Sequence, residues 1–157
     1  NKDWTLPHIA ASMTFKEYAT NQDPVLDVAM NYTETGFILD PMDHLTKLFI
    51  AGKYDEVKSE GAKIAMDPAY KYYDFQEEFS SAGYRLLQGP DKEGGLFILE
   101  LVADIYPESV GARYNLATAQ EQAKQFDKAR ENYKKVIALN PKGMMATAAK
   151  SKLKELN

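Results

Sequence analysis

Near position 40 stand three residues of the types that hold a metal ion or move a proton. In "DPMDH", Asp40, Asp43 and His44 set two carboxylates beside an imidazole, a donor set that zinc accepts. The same letters also spell a helix start, with Asp40 as N-cap and a polar first turn that suits the positive end of the helix dipole. The helix start is the expected reading, so no metal and no cofactor are assigned. "GPDKEGG", Gly89 to Gly95, is glycine-rich but lacks the Gly-Lys-Ser/Thr ending with which a phosphate loop holds phosphate and metal, and it reads as a turn between helices. The sequence contains no G-x-S-x-G elbow and no H-E-x-x-H helix. His8, directly after Pro7, is given no role. With no convergent set of nucleophile, base and metal ligands, the chain is not expected to be an enzyme.

A chain of 157 residues is one compact domain or one short solenoid. It contains no cysteine, which excludes disulfides and thiolate metal sites and suits a reducing compartment or a bacterial periplasm equally. A net charge of −4 argues against nucleic acid as the main ligand. No apolar run approaches the ~18 residues of a membrane span, and no signal peptide is visible, so membrane insertion is not expected. The first residue is Asn1 rather than Met, so a processed product or an excised piece of a longer protein is expected.

What positions the polar residues is a repeat. Shifted by 34 residues, the second half of the chain matches itself: Gly83 meets Ala117, Gly95 meets Ala129, Leu99 meets Tyr133, Val102 meets Val136 and Pro107 meets Pro141. A fainter earlier copy carries Val57, Gly61, Ile64 and Pro68, with an insertion around "AYKYYDF". Each unit reads as helix, tight turn, helix, stop. The expected helices run 41–51 and 54–66, then 75–88 and 91–105. The last pair begins around Tyr114, turns at "KQFD" with Asp127 as the second helix's N-cap, and stops before Pro141. "DFQE", Asp74 to Glu77, has capping-box spacing.

The small residues explain why the helices pair. Gly83 with Gly95, and Ala117 with Ala129, lie twelve apart across a turn and let two backbones approach closely. The tail "GMMATAAKSKLKELN" is a terminal cap, with Met144, Met145, Ala148 and Leu153 as its apolar face and lysines on the other. In the first 36 residues, helices are expected near Met13–Ala19 and from Pro24, and a loop at Asn31–Gly36. Tyr70, Tyr72 and Tyr73 read as the core of the inserted segment or as an interface. The domain plan is therefore an N-terminal helical or irregular cap over 1–36 and a repeat domain over 37–157. That domain comprises units of about 41–68, 76–107 and 110–141, and a capping helix at 143–156.

These residues resemble the tetratricopeptide repeat (TPR) family. The last unit carries Leu116, Ala117, Phe126, Ala129, Tyr133, Val136 and Pro141, and the middle unit carries Phe79, Gly83, Gly95, Leu99, Val102 and Pro107. In the first unit Gly61 stands where a bulky residue is usual. The resemblance implies an all-α helical-hairpin solenoid, a right-handed superhelix with a C-terminal capping helix. It further implies that the first helix of each pair lines a concave face, which places Met42, Thr46, Phe49, Ser80, Tyr84, Leu87, Tyr114, Thr118 and Glu121 there. The chaperone-binding class clamps a terminal carboxylate with lysine and asparagine; only Asn115 is near those places, so that specificity is not expected. The implied function is a non-catalytic protein–protein interaction module, a scaffold that binds a peptide or protein segment. The implied groove is either open to such a partner or filled by residues 1–36 or a neighbouring domain. A narrower likeness, in "GYRLL", "YPES" and the terminal unit, is to the TPR-containing tails of exported bacterial serine hydrolases and esterases. It implies the alternative of an accessory C-terminal domain in the periplasm or cell envelope, with catalysis elsewhere in the polypeptide.

Overall fold

The computed structural model describes residues 13–30 and 38–156, and every regular element among them is helical. His8 and the loop expected over Asn31–Gly36 lie outside the described residues. By internal contacts the chain divides into two units, residues 1–39 and 40–157.

The first unit contributes two short helices, α1 (Phe15–Ala19) and α2 (Pro24–Met30). Thr14 and Glu17 close a capping box that starts α1: Glu17 N donates to Thr14 Oγ1, and Thr14 N donates to Glu17 Oε2 at 2.7 Å. The chain leaves α1 through Asn21 at φ 56°, one of the few non-glycine residue types that enter that region readily. Asp23 accepts from Leu26 N and starts α2, with Pro24 in the first position.

In the second unit three hairpins follow one another: α3 (Pro41–Ile50) with α4 (Tyr54–Met66), α5 (Phe75–Gln88) with α6 (Lys92–Ile105), and α7 (Val110–Gln122) with α8 (Phe126–Leu139). A last helix, α9 (Met144–Glu155), packs on α8. Asp40, Asp74, Asp91 and Ser109 cap α3, α5, α6 and α7, each accepting an amide from the first turn. The expected Asp127 cap is corrected: α8 starts two residues earlier, with Gln125 at the cap position, and Asp127 pairs with Arg130 on the first turns of the helix. The cause lies in the preceding turn. Gln125 N donates to Gln120 O and Lys124 N to Glu121 O, closing the end of α7 with Lys124 in the left-handed conformation at φ 60°. The α3–α4 turn is built identically around Gly52, at φ 73°.

The glycine crossing forms as its spacing requires. A Cβ built on Gly95 would lie 2.7 Å from Leu87 N and 2.8 Å from Gly83 O, so α5 and α6 touch through bare backbone. In the last hairpin, Ala117 and Ala129 are fully buried with Tyr133 and Val136. The face expected on the tail is corrected. Met144 is 91% exposed and Met145 is also exposed, whereas Ala146 and Ala149 are fully buried. Alanines let α9 lie close against α8, and Leu153 and Leu156 finish the contact. In the inserted segment a 3₁₀ turn, Pro68–Tyr70, leads to Phe75, on which Tyr70 and Tyr73 pack at ring distances of 5.9 and 4.5 Å; Tyr72 points to solvent.

Candidate functional site

The first hairpin meets the second less intimately than the second meets the third. Where α7 follows α6 the helices pack along their length, but α3 stands off from α5 and leaves a cleft of about 330 Å³ between them. Its floor is core: Leu45 of α3, Val57 of α4, Phe79 of α5 and Ile98 of α6, all buried. One wall is Met42, Thr46, Phe49 and Ile50; the other is Ala82, Arg85 and Leu86. Ile50 on the lip is 79% exposed, so at that end the cleft presents apolar surface to solvent.

The far end of α3 is anchored by rings. Phe49 lies 5.4 Å from Tyr54 and 6.2 Å from Phe97, and Tyr54 lies 4.9 Å from Phe97, while Lys58 Nζ sits 5.3 Å over the Phe97 ring. Phe49 seats on Gly94, where a built Cβ would fall 2.6 Å from Phe49 Cζ. This cluster joins the first hairpin to α6 and fixes one wall of the cleft.

The nine residues assigned to a concave face fall into separate groups. Met42, Thr46 and Phe49 line the cleft. Ser80 is buried, and Leu87 fills the α5–α6 crossing against Gly95. Tyr84 is half-buried beside Tyr114, and burial first, then that neighbour, push its phenol above the ordinary value. Tyr114 packs its ring on Tyr133 at 5.8 Å, and Thr118 Oγ1 donates to Tyr114 O at 3.0 Å. Glu121 accepts from Tyr133 OH at 2.7 Å and from Lys152 Nζ at 3.0 Å. Burial alone would raise the Glu121 carboxyl; these two donors outweigh it and hold the pKa below the usual range. The polar groups on α7 are thus engaged with the core tyrosine and with α9. Sequence reasoning missed the α5 wall of the cleft, Ala82, Arg85 and Leu86, which lies beside the expected stripe of Ser80, Tyr84 and Leu87.

The catalytic-type residues each have a structural occupation. Asp40 caps α3, Asp43 pairs with Lys47 at 2.5 Å, and His44 Nε2 lies 2.5 Å from Glu60 Oε2 across the first hairpin. Among the described residues, no three His, Cys, Asp or Glu side chains gather as a metal site requires. Among those same residues, no helix is long and apolar enough to cross a membrane.

Consecutive antiparallel hairpins, each covering the flank of the one before, define a helical-repeat solenoid. The repeat has a particular kind. The family model of the tetratricopeptide repeat matches residues 110–142, the span of α7, α8 and the turn after them, and the chain carries a repeat of that family there. No curated protein matches the chain. Among the solved structures that match is one described as the first TPR of Spaghetti (RPAP3) bound to an HSP90 peptide, SRMEEVD. It is 17% identical, with a TM-score of 0.46 over 74% of this chain and 86% of that one.

Proposed function

We propose that the chain is a non-catalytic interaction module that takes an apolar segment of a protein partner into the cleft between α3 and α5. The observation that supports this reading is the cleft itself. Ten of its eleven lining side chains carry no charge, its floor is continuous with the core, and it opens to solvent beside an exposed isoleucine. Apolar surface left open to solvent gains free energy when a complementary face covers it, at about 25 cal/mol per Å² before the costs of association. An amphipathic helix or an extended strand with spaced apolar side chains meets that requirement.

The test selects binders from a displayed random 16-residue peptide library against the full chain and maps them by amide chemical shifts. Shifts concentrated at 42–50 and 79–86 are expected. Ala82→Trp, which fills the cleft from its α5 wall, should weaken such peptides about tenfold or more with an unchanged far-ultraviolet circular dichroism spectrum. Peptides that map elsewhere, or bind Ala82→Trp equally well, refute the reading.

A further inference from the structure

We infer that the segment entering the cleft carries a carboxylate at one fixed place beside its apolar side chains, and that Arg85 selects for it. This rests on the reading of the cleft as a docking site and adds the chemistry of its occupant. Arg85 is the one charged side chain in the lining. It lies in the last turn of α5, between Ala82 and Leu86 on the wall facing Ile50. Among the described residues, no carboxylate pairs with its guanidinium. Other described cations, Arg113 among them, are likewise without an ion pair; what sets Arg85 apart is its place in the lining of an otherwise uncharged cleft.

The charge has a definite position along the cleft. Phe49 touches Gly94 in the first turn of α6, which follows directly on the end of α5. The C-terminal ends of α3 and α5 therefore lie side by side. Phe49, Ile50, Arg85 and Leu86 form one end of the cleft, and Met42, Leu45 and Phe79 form the other. From Met42 to Phe49 is two helical turns, about 10 Å. An occupant filling the uncharged end with apolar side chains thus places its carboxylate one to two turns away. Arg85 is exposed at this rim, so a guanidinium holding a carboxylate in two parallel hydrogen bonds there contributes geometric selectivity more than affinity.

The molecule as a whole carries −4, so a uniformly acidic segment is repelled at long range. Selection is therefore for one placed acid and not for net acidity. Thr46 and Ile50, one helical turn apart, stay exposed on the α3 lip, which suits a polypeptide laid along that helix.

The experiment repeats the peptide selection on the full chain with Arg85→Glu and Arg85→Gln, with decanoate titrated as a separate arm. Wild type should enrich peptides with apolar residues three or four apart and Asp or Glu at a constant spacing from them. Arg85→Glu should enrich Lys or Arg at that position. A wild-type peptide should lose about tenfold or more in affinity on Arg85→Glu and regain it when its own acid is changed to lysine. Arg85→Gln keeps the helix and removes only the charge, and should show an intermediate loss. Peptides that shift residues 42–50 and 79–86 but carry no fixed acid, or that bind Arg85→Glu equally, overturn the role of Arg85 and leave the docking reading standing. Binding of decanoate in place of any peptide overturns both.

Discussion

Gly61 and Gly95 both lie inside helices, yet the same substitution meets different surroundings. A Cβ on Gly61 would lie 3.6 Å from Leu101 Cδ2 and Phe79 Cζ, ordinary contact distances, so alanine fits. Gly61→Ala should raise stability by about 0.5–1 kcal/mol in urea unfolding, through lower chain entropy and better helix propensity. At Gly95 the same methyl group meets backbone at 2.7 and 2.8 Å and cannot be accommodated by a rotamer change. Gly95→Ala should part α5 from α6 and cost about 1–3 kcal/mol. Lys124 offers the reverse opportunity. It holds the left-handed conformation that Gly52 adopts without a Cβ penalty in the first hairpin. Lys124→Gly should raise stability by about 0.5–1 kcal/mol, the strain relieved less glycine's entropy. A lower urea midpoint would show that the turn is unstrained.

At the scale of elements, α9 is tied to the rest of the stack by polar contacts over an alanine face, among them Lys150 Nζ donating to Pro141 O at 3.1 Å. Arg130 donates to Leu156 O at 2.8 Å, and Lys152 reaches Glu121, which also receives the Tyr133 hydroxyl. The folded pKa of Glu121 lies below its ordinary 4.5. Its stabilising contribution is therefore fully present above that value and is lost as pH falls through the folded pKa. Thermal melts from pH 6 to pH 2 should show the wild type losing stability below about pH 4.5 more steeply than Glu121→Gln, which has no proton to take up there. Parallel curves would mean that the Lys152 contact contributes nothing measurable. The α7–α8 hairpin also contains a buried amide pair, Asn132 Nδ2 donating to Gln120 Oε1 at 2.9 Å. Gln120→Ala should cost about 1–3 kcal/mol, because it leaves one Asn132 amide N–H buried without an acceptor while the other donates to Lys128 O at 3.3 Å.

Across the whole molecule, burial is uneven along the stack of residues 40–157. α6 buries nine residues, from Gly94 to Ile105, whereas α3 buries two, Pro41 and Leu45. Repeat arrays open locally where neighbouring units share the least apolar surface. Native-state hydrogen exchange should therefore show α3 and α4 opening at lower free energy than α6–α8, and a bound cleft peptide should narrow that gap. Uniform protection throughout would indicate a single cooperative unit and a rigid first hairpin. The open seam and the binding cleft are the same feature, since apolar surface left uncovered between two hairpins is what a partner can cover.

By itself the sequence determined the helices, the hairpin order and the glycine crossing, because these depend on spacing along the chain. Asp40 and Asp74 start helices by chemistry local to three residues, and Gly83 with Gly95 marks a close approach at any point where the chain turns between them. Tertiary structure decided which faces meet. A periodic pattern marks an apolar stripe only to within a residue or so, and it placed the buried face of α9 on Met144 when side-chain size selects Ala146 and Ala149. The same limit applies to the cleft. The family register brought Met42, Thr46 and Phe49 to one wall, but the opposite wall is Ala82, Arg85 and Leu86, because the rotation of the α3–α4 hairpin against α5 is set by Phe49, Tyr54 and Phe97 packing on one another from three different helices. No spacing within a single helix records that rotation.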